Sequence, residues 1–456
     1  MLLEPVLLTL IAAFAFSSSA SAAEVEWHGH YRTRVLAYNS LSLSDTNANA
    51  TAGTVYLDHR LRLQPTFHAS SRVAVHAQLD MLNLTSFGDN INNYTLADGT
   101  LLPAAYAHGV APDLTQNNMG NFGNVSLTRA WADIYLPYGR LSMGRMPQHW
   151  GAGVLFNDGL TPESEFGDTG DRIQFTSRVG PVYLMGAYEQ LSEGYWEEGD
   201  NRDDSVAADF AVAYLGETMG LGLYNRYRHQ FGPTYQAYTA SLWGFSELGP
   251  ARIELEFAGN FGGGDLDSQN NDVSQVAFGG ILSGSMTLPN KLNAGLDVGM
   301  ASGDSDTTDS TDRTFTFDRD KNIALMMFEE PLPVLAPAVR NSENLGRDTG
   351  AVLTGEGVSN ALFLKPTIGY QIRDDLHGQV SLLGARTFAA PSDARRGYGW
   401  EIGADLTYSP VEHFYLKASG AVLVPGEYYS NYVDPDLGGG FDSPAFGGRL
   451  YLVAEF

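Results

Sequence analysis

Beyond roughly its first two dozen residues, the chain is a succession of segments in which polar and apolar side chains alternate with period two. Val25–Val35 shows the rule: its even positions read Glu, His, His, Arg, Arg, and its odd positions are mainly apolar or aromatic. Period two sends the two sets to opposite faces of an extended strand. Segments of this kind fall at about 25–38, 54–68, 72–84, 124–136, 140–147, 170–179, 182–191, 205–215 and 219–229. The second half adds about 234–247, 251–262, 273–288, 291–303, 358–372, 376–390, 397–408, 412–424 and 445–456.

Short turns and long loops alternate between them. The turns are Ser70-Ser71, Pro137-Tyr138-Gly139, Gly180-Pro181, Gly216-Glu217-Thr218, Leu248-Gly249-Pro250, Pro289-Asn290, Arg373-Asp374-Asp375 and Ser409-Pro410-Val411. The loops are 39–53, 85–123, 148–169, 192–204, 230–233, 263–272, 304–357, 391–396 and 425–444. A soluble β-sandwich has no reason to keep that order, whereas short periplasmic turns and longer outer loops are the asymmetry of outer-membrane barrels. The expected fold is therefore all-β: a single transmembrane antiparallel β-barrel of about 18 strands over 24–456, apolar face to lipid and polar face to the lumen.

The two ends of the chain agree. Val6–Phe16 is apolar apart from Thr9 and runs into Ala20-Ser21-Ala22-Ala23, so 1–23 reads as a signal peptide too short to span a bilayer. Its first five residues lack Lys and Arg, a departure from the usual pattern that places the true start codon in question. No later run of eighteen or more apolar residues exists. At the other end, Phe446, Leu450, Leu452, Ala454 and Phe456 share a face, with Arg449, Tyr451 and Glu455 on the other. This resembles the terminal strand of outer-membrane proteins, which implies that Phe456 is the signal read by the barrel assembly machinery. The expected location is the cell outer membrane, with its lipid and lipopolysaccharide as surroundings. Trp27, Trp131, Tyr135, Tyr138, Tyr183, Trp243, Tyr408 and Phe414 fall near strand ends and are candidates for interfacial girdles.

Charge narrows the function. With a net charge of −26, nucleic acid is not an expected partner. With no Cys, the fold cannot rest on disulfides. Lys occurs only at Lys291, Lys321, Lys365 and Lys417, so most positive charge is Arg. Arg32, Arg34, Arg60, Arg62, Arg129, Arg172, Arg178, Arg226, Arg228 and Arg252 lie on the polar face of strands and are candidate pore-lining residues for anionic solutes. An equal reading pairs them with lumen acids such as Asp58, Asp80, Asp133, Glu254, Glu256, Glu401 and Asp405. Loop 148–169 is a candidate constriction, through Asp158, Glu163, Glu165 and Asp168. Loop 304–357 carries the apolar run Ile323–Phe328, which must be buried somewhere. A plug across the barrel mouth is favoured over a further hairpin. The Asp clusters at 304–312 and 265–272 lack the Gly and terminal Glu of an EF-hand. His28 and His30 lack a third ligand. No metal, cofactor or catalytic motif is expected.

Two stretches resemble known families. Gly144–Gly151, Phe156–Gly159 and Gly167–Arg172 resemble a family of bacterial outer-membrane barrels with no assigned substrate. Phe317-Asp318-Arg319-Asp320 before the Ile323–Phe328 run resembles both that family and the alginate-export porins. Likeness to the exporters implies an eighteen-stranded barrel whose Arg-lined lumen passes an anionic polysaccharide. The scarcity of Lys and the abundance of lumen acids depart from a strongly electropositive conduit. The function expected is a porin or substrate-selective channel for small or anionic solutes, narrowed by inward-folded loops. The alternative is a non-transport barrel acting as adhesin or structural anchor.

Overall fold

The structure is a computed structural model. It describes residues 24–39, 41, 43, 54–86, 94–95, 101–102, 125–192, 205–231, 234–265, 272–306, 309–330, 332–334, 352–354, 357–390, 396–430 and 442–456. The stretch 1–23 expected to be a signal peptide, most of loop 85–123 and the acidic stretch 193–204 lie outside the described residues.

The alternating segments become eighteen antiparallel strands closed into one barrel. They are β1 (Glu24–Tyr38), β2 (Thr54–Ser70), β3 (Val73–Ser86), β4 (Val125–Leu136), β5 (Gly139–Pro147) and β6 (Thr169–Val179). Next come β7 (Val182–Ser192), β8 (Ser205–Leu215), β9 (Met219–Phe231), β10 (Thr234–Leu248), β11 (Ala251–Asp265) and β12 (Asp272–Leu288). The last are β13 (Leu292–Ala301), β14 (Ala361–Arg373), β15 (Leu376–Thr387), β16 (Gly397–Val411), β17 (Phe414–Pro425) and β18 (Ala445–Glu455). Each strand pairs with its chain neighbours, and β1 pairs with β18 from His30↔Glu455 to Tyr38↔Gly447.

The seam is finished by the last residue. Gly29 N–H donates to Phe456 O at 2.9 Å, and Phe456 N–H returns the bond to Gly29 O at 3.0 Å. A Cβ at Gly29 would meet the Phe456 ring at 2.9 Å, so the glycine makes room for the terminal aromatic. Phe456 itself stays half exposed on the same outer face as Phe446 and Leu450.

The faces follow the alternation. On β9, Leu221 and Leu223 are more than half exposed while Tyr224 and Arg226 are buried, the inverse of a soluble protein. Exposed apolar side chains occupy the outer face on strand after strand, including Phe210, Phe257, Ile368 and Ile402. Such a belt is stable only against hydrocarbon, so this is an integral barrel of the outer-membrane type. Most of the buried apolar cluster (Phe315, Phe317, Ile323, Met326, Met327, Phe363, Leu383 and Leu423 among others) lies inside, where loop residues pack on the wall.

Details differ from expectation. Trp131, Tyr183 and Trp243 share faces with the inward Arg129, Met185 and Ser241, so they point to the lumen and are not girdle residues. Trp243 has an inward reason, donating to Glu254 at 2.9 Å. The turn expected at Ser409–Val411 sits instead at Glu412–His413, with His413 at φ 63°. Ser409 N–H still bonds Asp375 O, and a register irregularity lets the sheet pass Pro410.

Placing a charge on the outer belt tests its environment. Ile368→Arg, replacing a side chain 64% exposed in the middle of β14, should lower stability in lipid vesicles by about 2–4 kcal/mol. Urea unfolding in liposomes measures it, and an unchanged midpoint would mean that this face does not meet lipid.

Candidate functional site

Two loops enter the lumen and meet there. The first, 148–168, leaves β5 and turns on Gly151, Gly153 and Gly159, all with φ between 56° and 77°. A side chain at Gly159 would collide with the carbonyl of Phe166, so the two limbs of the loop press together backbone to backbone. The barrel wall holds this loop by its carbonyls. Arg32 donates to Pro162 O and Ser164 O, Arg60 to Pro162 O, and Arg62 to Gly159 O at 2.7 Å. Arg129 reaches both Asp158 O at 2.6 Å and Asp168 O at 3.1 Å. Guanidinium groups have donors enough to hold a carbonyl and a wall carboxylate together. Arg62 does so, with Asp80 at 2.6 Å, and Arg34 pairs with both Asp58 and Glu165.

The second loop, after β13, begins as a short strand, Thr311–Asp312, parallel to β12. It then dives inward and buries Phe315, Phe317, Ile323, Met326 and Met327. The apolar run expected to plug the barrel thus lies inside it. The separate short hairpin Leu332–Val334 with Val352–Thr354 also forms. Two wall carboxylates receive backbone donors that loop tips would otherwise leave unpaired. Glu256 accepts from Val154 and Leu155, and Glu401 from Leu325, Met326 and Met327 at 2.6–3.3 Å. These acids, read as Arg partners in the sequence, hold loops. On the same side as Glu401, Arg449 binds Glu330 at 2.6 Å and Leu325 O at 3.0 Å.

The loops join through Asp318-Arg319-Asp320. Asp318 N–H donates to Val154 O at 2.7 Å, and Asp320 Oδ1 accepts from Glu165 N–H and Phe166 N–H. Arg319 lies over the Phe166 ring at 3.9 Å, and Lys321 donates to Ala152 O at 2.6 Å. The Asp318 carboxyl is hydrogen-bonded to Asp168, and burial beside that second acid pushes it up to about 9. Asp168 is raised too, chiefly by burial. Two carboxyls in contact cannot both ionise cheaply, so at neutral pH Asp318 keeps its proton and donates it to Asp168.

The ten strand Arg divide by place. Arg32, Arg34, Arg60, Arg62, Arg129, Arg172 and Arg226 are buried. Arg172 and Arg226 share Asp209 and Glu189, and Arg226 also stacks on Phe156. Arg228, beside Ser205, is exposed. Arg178 and Arg252 sit at the turn ends of β6 and β11, the first over Tyr183 and the second with Glu247 and Glu254. Among the loop acids, Asp158 turns its carboxylate to Leu160 N–H and Glu163 binds Lys417 at 2.5 Å and Tyr415 at 3.3 Å.

Two lumen cavities flank the joined loops. One of about 200 Å³ is lined by Lys365, Lys417 and Arg449 with Glu163, Glu401 and Asp405. Its acids are engaged: Glu163 by Lys417, Glu401 by backbone, Asp405 by Gln379 and Ser419. The other, about 270 Å³, lies under residues 147–150 and 156 against β5–β9, toward the turn end. Its lining combines Arg140, His149 and Arg172 with Gln148, Gln174, Trp150, Phe156, Tyr183 and Tyr224, and includes no carboxylate. Arg140, His149, Lys365, Lys417 and Arg449 were not among the sequence candidates. Lys365, Lys417 and Arg449 were legible from parity alone, since they alternate with outward apolar residues of β14, β17 and β18.

No family model matches the chain. No curated protein matches it either. Solved structures do, at the level of fold. A BenF-like porin from Pseudomonas fluorescens Pf-5 aligns at a TM-score of 0.56 and 11% identity over 95% of this chain and 98% of that one. Pseudomonas aeruginosa OccK2 (OpdF) in complex with glucuronate aligns at 0.53 and 10%, over 95% and 98%. Pseudomonas aeruginosa OpdK with vanillate aligns at 0.52 and 13%, over 94% and 98%. The chain therefore has the fold of these porins.

The Asp168–Asp318 contact carries a pH dependence of known sign. Because the folded carboxyl titrates near 9 and a free one near ~3.9, the folded loop pair binds the extra proton, and its stabilisation is complete below that lower value and lost as pH rises through about 9. Spin labels at Thr161→Cys and Ala324→Cys should report a wider or broader separation at pH 10 than at pH 7. Asp318→Asn should abolish the change, and a separation equally pH-sensitive in that variant would place the titration elsewhere.

Proposed function

We propose that the barrel is a substrate-selective channel for small organic anions, whose path is narrowed by the two inward loops. The observation that carries this reading is the 270 Å³ cavity in which Arg140, His149 and Arg172 face one space with aromatic side chains and no acid. A guanidinium recognises a carboxylate through paired N–H donors, while Trp150, Phe156, Tyr183 and Tyr224 offer apolar faces to the body of a small solute. Each of these groups has an acid beside it, Arg172 with Asp209 at 2.8 Å, Arg140 with Asp133 at 3.5 Å and His149 with Asp158 at 3.9 Å, but Arg172 is buried, so the exposed Arg140 and His149 are the groups that would greet a solute. Five of the seven buried Arg (Arg32, Arg34, Arg60, Arg62 and Arg129) act as anchors for loop 148–168, Arg172 and Arg226 pair with wall acids, and the selectivity assigned to a continuous Arg lining passes to the few cations left at the cavities. The fold shared with porins agrees with transport. Loops joined across the lumen favour small solutes over a polysaccharide.

Conductance and permeation test this. In planar bilayers the protein should conduct weakly and prefer benzoate to an equally sized cation. Arg140→Gln with His149→Gln should cut the benzoate permeability ratio roughly fivefold, the equivalent of about 1 kcal/mol, with unchanged thermal stability. Glu401→Ala, which leaves three loop N–H groups without their acceptor, should release the long loop and raise conductance several-fold. Absence of conductance in both the native protein and the Glu401→Ala variant would favour the adhesin or anchor reading instead.

A further inference from the structure

The outer face of the barrel is not uniformly filled. Between β13 and β17, at the ends of those strands nearest the long loops, lies a hollow of about 720 Å³. Its walls are Val298, Leu362, Leu364, Trp400 and Val424, apolar side chains that the alternation directs outward. Its floor is backbone. Gly384 has no side chain because the Trp400 ring lies across it, and a Cβ there would collide with that ring. Gly397 and Gly399 bracket a register slip in β16, where Arg386 pairs with Gly397 and Ala385 with Gly399, and Gly399 takes φ +118°. The strand bends there without side chains to fill the bend.

Arg386 stands at the rim. It is exposed on the same outward face as Leu382 and Gly384, and no carboxylate among the described residues pairs with it. Arg396 is exposed immediately before Gly397, and Glu427 completes the lining at the start of a four-residue helix. On an integral barrel this hollow belongs to the outer leaflet, because the long-loop ends of the strands lie on that side. Water would meet Leu, Val and Trp there, and hydrocarbon fills such a space without loss.

An acyl chain gains little by moving from bilayer to hollow, since both are apolar. Preference for one lipid must therefore come from the headgroup, and a guanidinium at the rim with no carboxylate partner among the described residues selects phosphate. We propose that this hollow is a binding site for a lipopolysaccharide molecule, with an acyl chain against Trp400 and Leu364 and a lipid A phosphate on Arg386. The site lies on the outside of the wall and is independent of the lumen path.

Native mass spectrometry of the detergent-solubilised barrel tests it, with purified lipid A and phosphatidylglycerol offered at equal concentration. The native protein should retain lipid A in clear preference. Arg386→Gln should lower the retained fraction about tenfold, Arg386→Lys should restore much of it, and Val424→Trp should lower it by filling the space. Heat-modifiable electrophoretic mobility would show that all three variants fold. Equal retention of lipid A by the native and Arg386→Gln proteins, or equal retention of both lipids by the native protein, would overturn the proposal. So would disulfide-linked dimers of Val298→Cys forming in native membranes, because a second copy would then occupy the hollow.

Discussion

Every backbone donor and acceptor in the bilayer zone must find a partner within the protein, and a sheet achieves this only by closing on itself. Here closure rests on the ladder between β1 and β18, extended past the last strand residue by the reciprocal bonds of Gly29 and Phe456. With that ladder in place no edge remains, and the apolar outer side chains become an asset where in water they would be a liability. With no cysteine in the chain, nothing covalent backs the seam.

Closure creates a second problem, a wide polar interior, and two loops answer it with reciprocal chemistry. Loop carbonyls are taken by wall guanidinium groups, as with Arg32, Arg62 and Arg129. Loop N–H groups are taken by wall carboxylates, as with Glu256 and Glu401. Breaking one of these contacts leaves the partner buried and unsatisfied, which costs more than the contact itself contributes net. The joined loops are therefore a stiff structure, except where Asp168 and Asp318 share one proton. What cationic charge these anchors leave in the two flanking cavities lies at the exposed Arg140, 3.5 Å from Asp133, on one side and at Lys365 on the other.

Much of the architecture was legible in the residues because period-two alternation, turn chemistry and loop length are local properties of the chain. The strand positions, the pairing of both termini on the turn side and the burial of Ile323, Met326 and Met327 all follow from reading along the sequence. Individual aromatics were less legible. Trp131 and Trp243 lie at strand ends as girdle residues would, yet their parity turns them inward, to His76 and to Glu254. Parity was available in the sequence and outweighs position, because a one-residue step reverses the face.

The sequence by itself determined a closed antiparallel barrel, because only that fold reconciles alternating faces with a chain that has neither helical spans nor disulfides. It also determined which side chains face inward. Tertiary structure alone decided what each inward charge does. Ten arginines share one sequence environment, yet seven are buried and others remain exposed near the strand ends. The physical reason is that a guanidinium's effect depends on what enters its reach, and for Arg32 and Arg60 those groups come from a loop more than a hundred residues away in the chain.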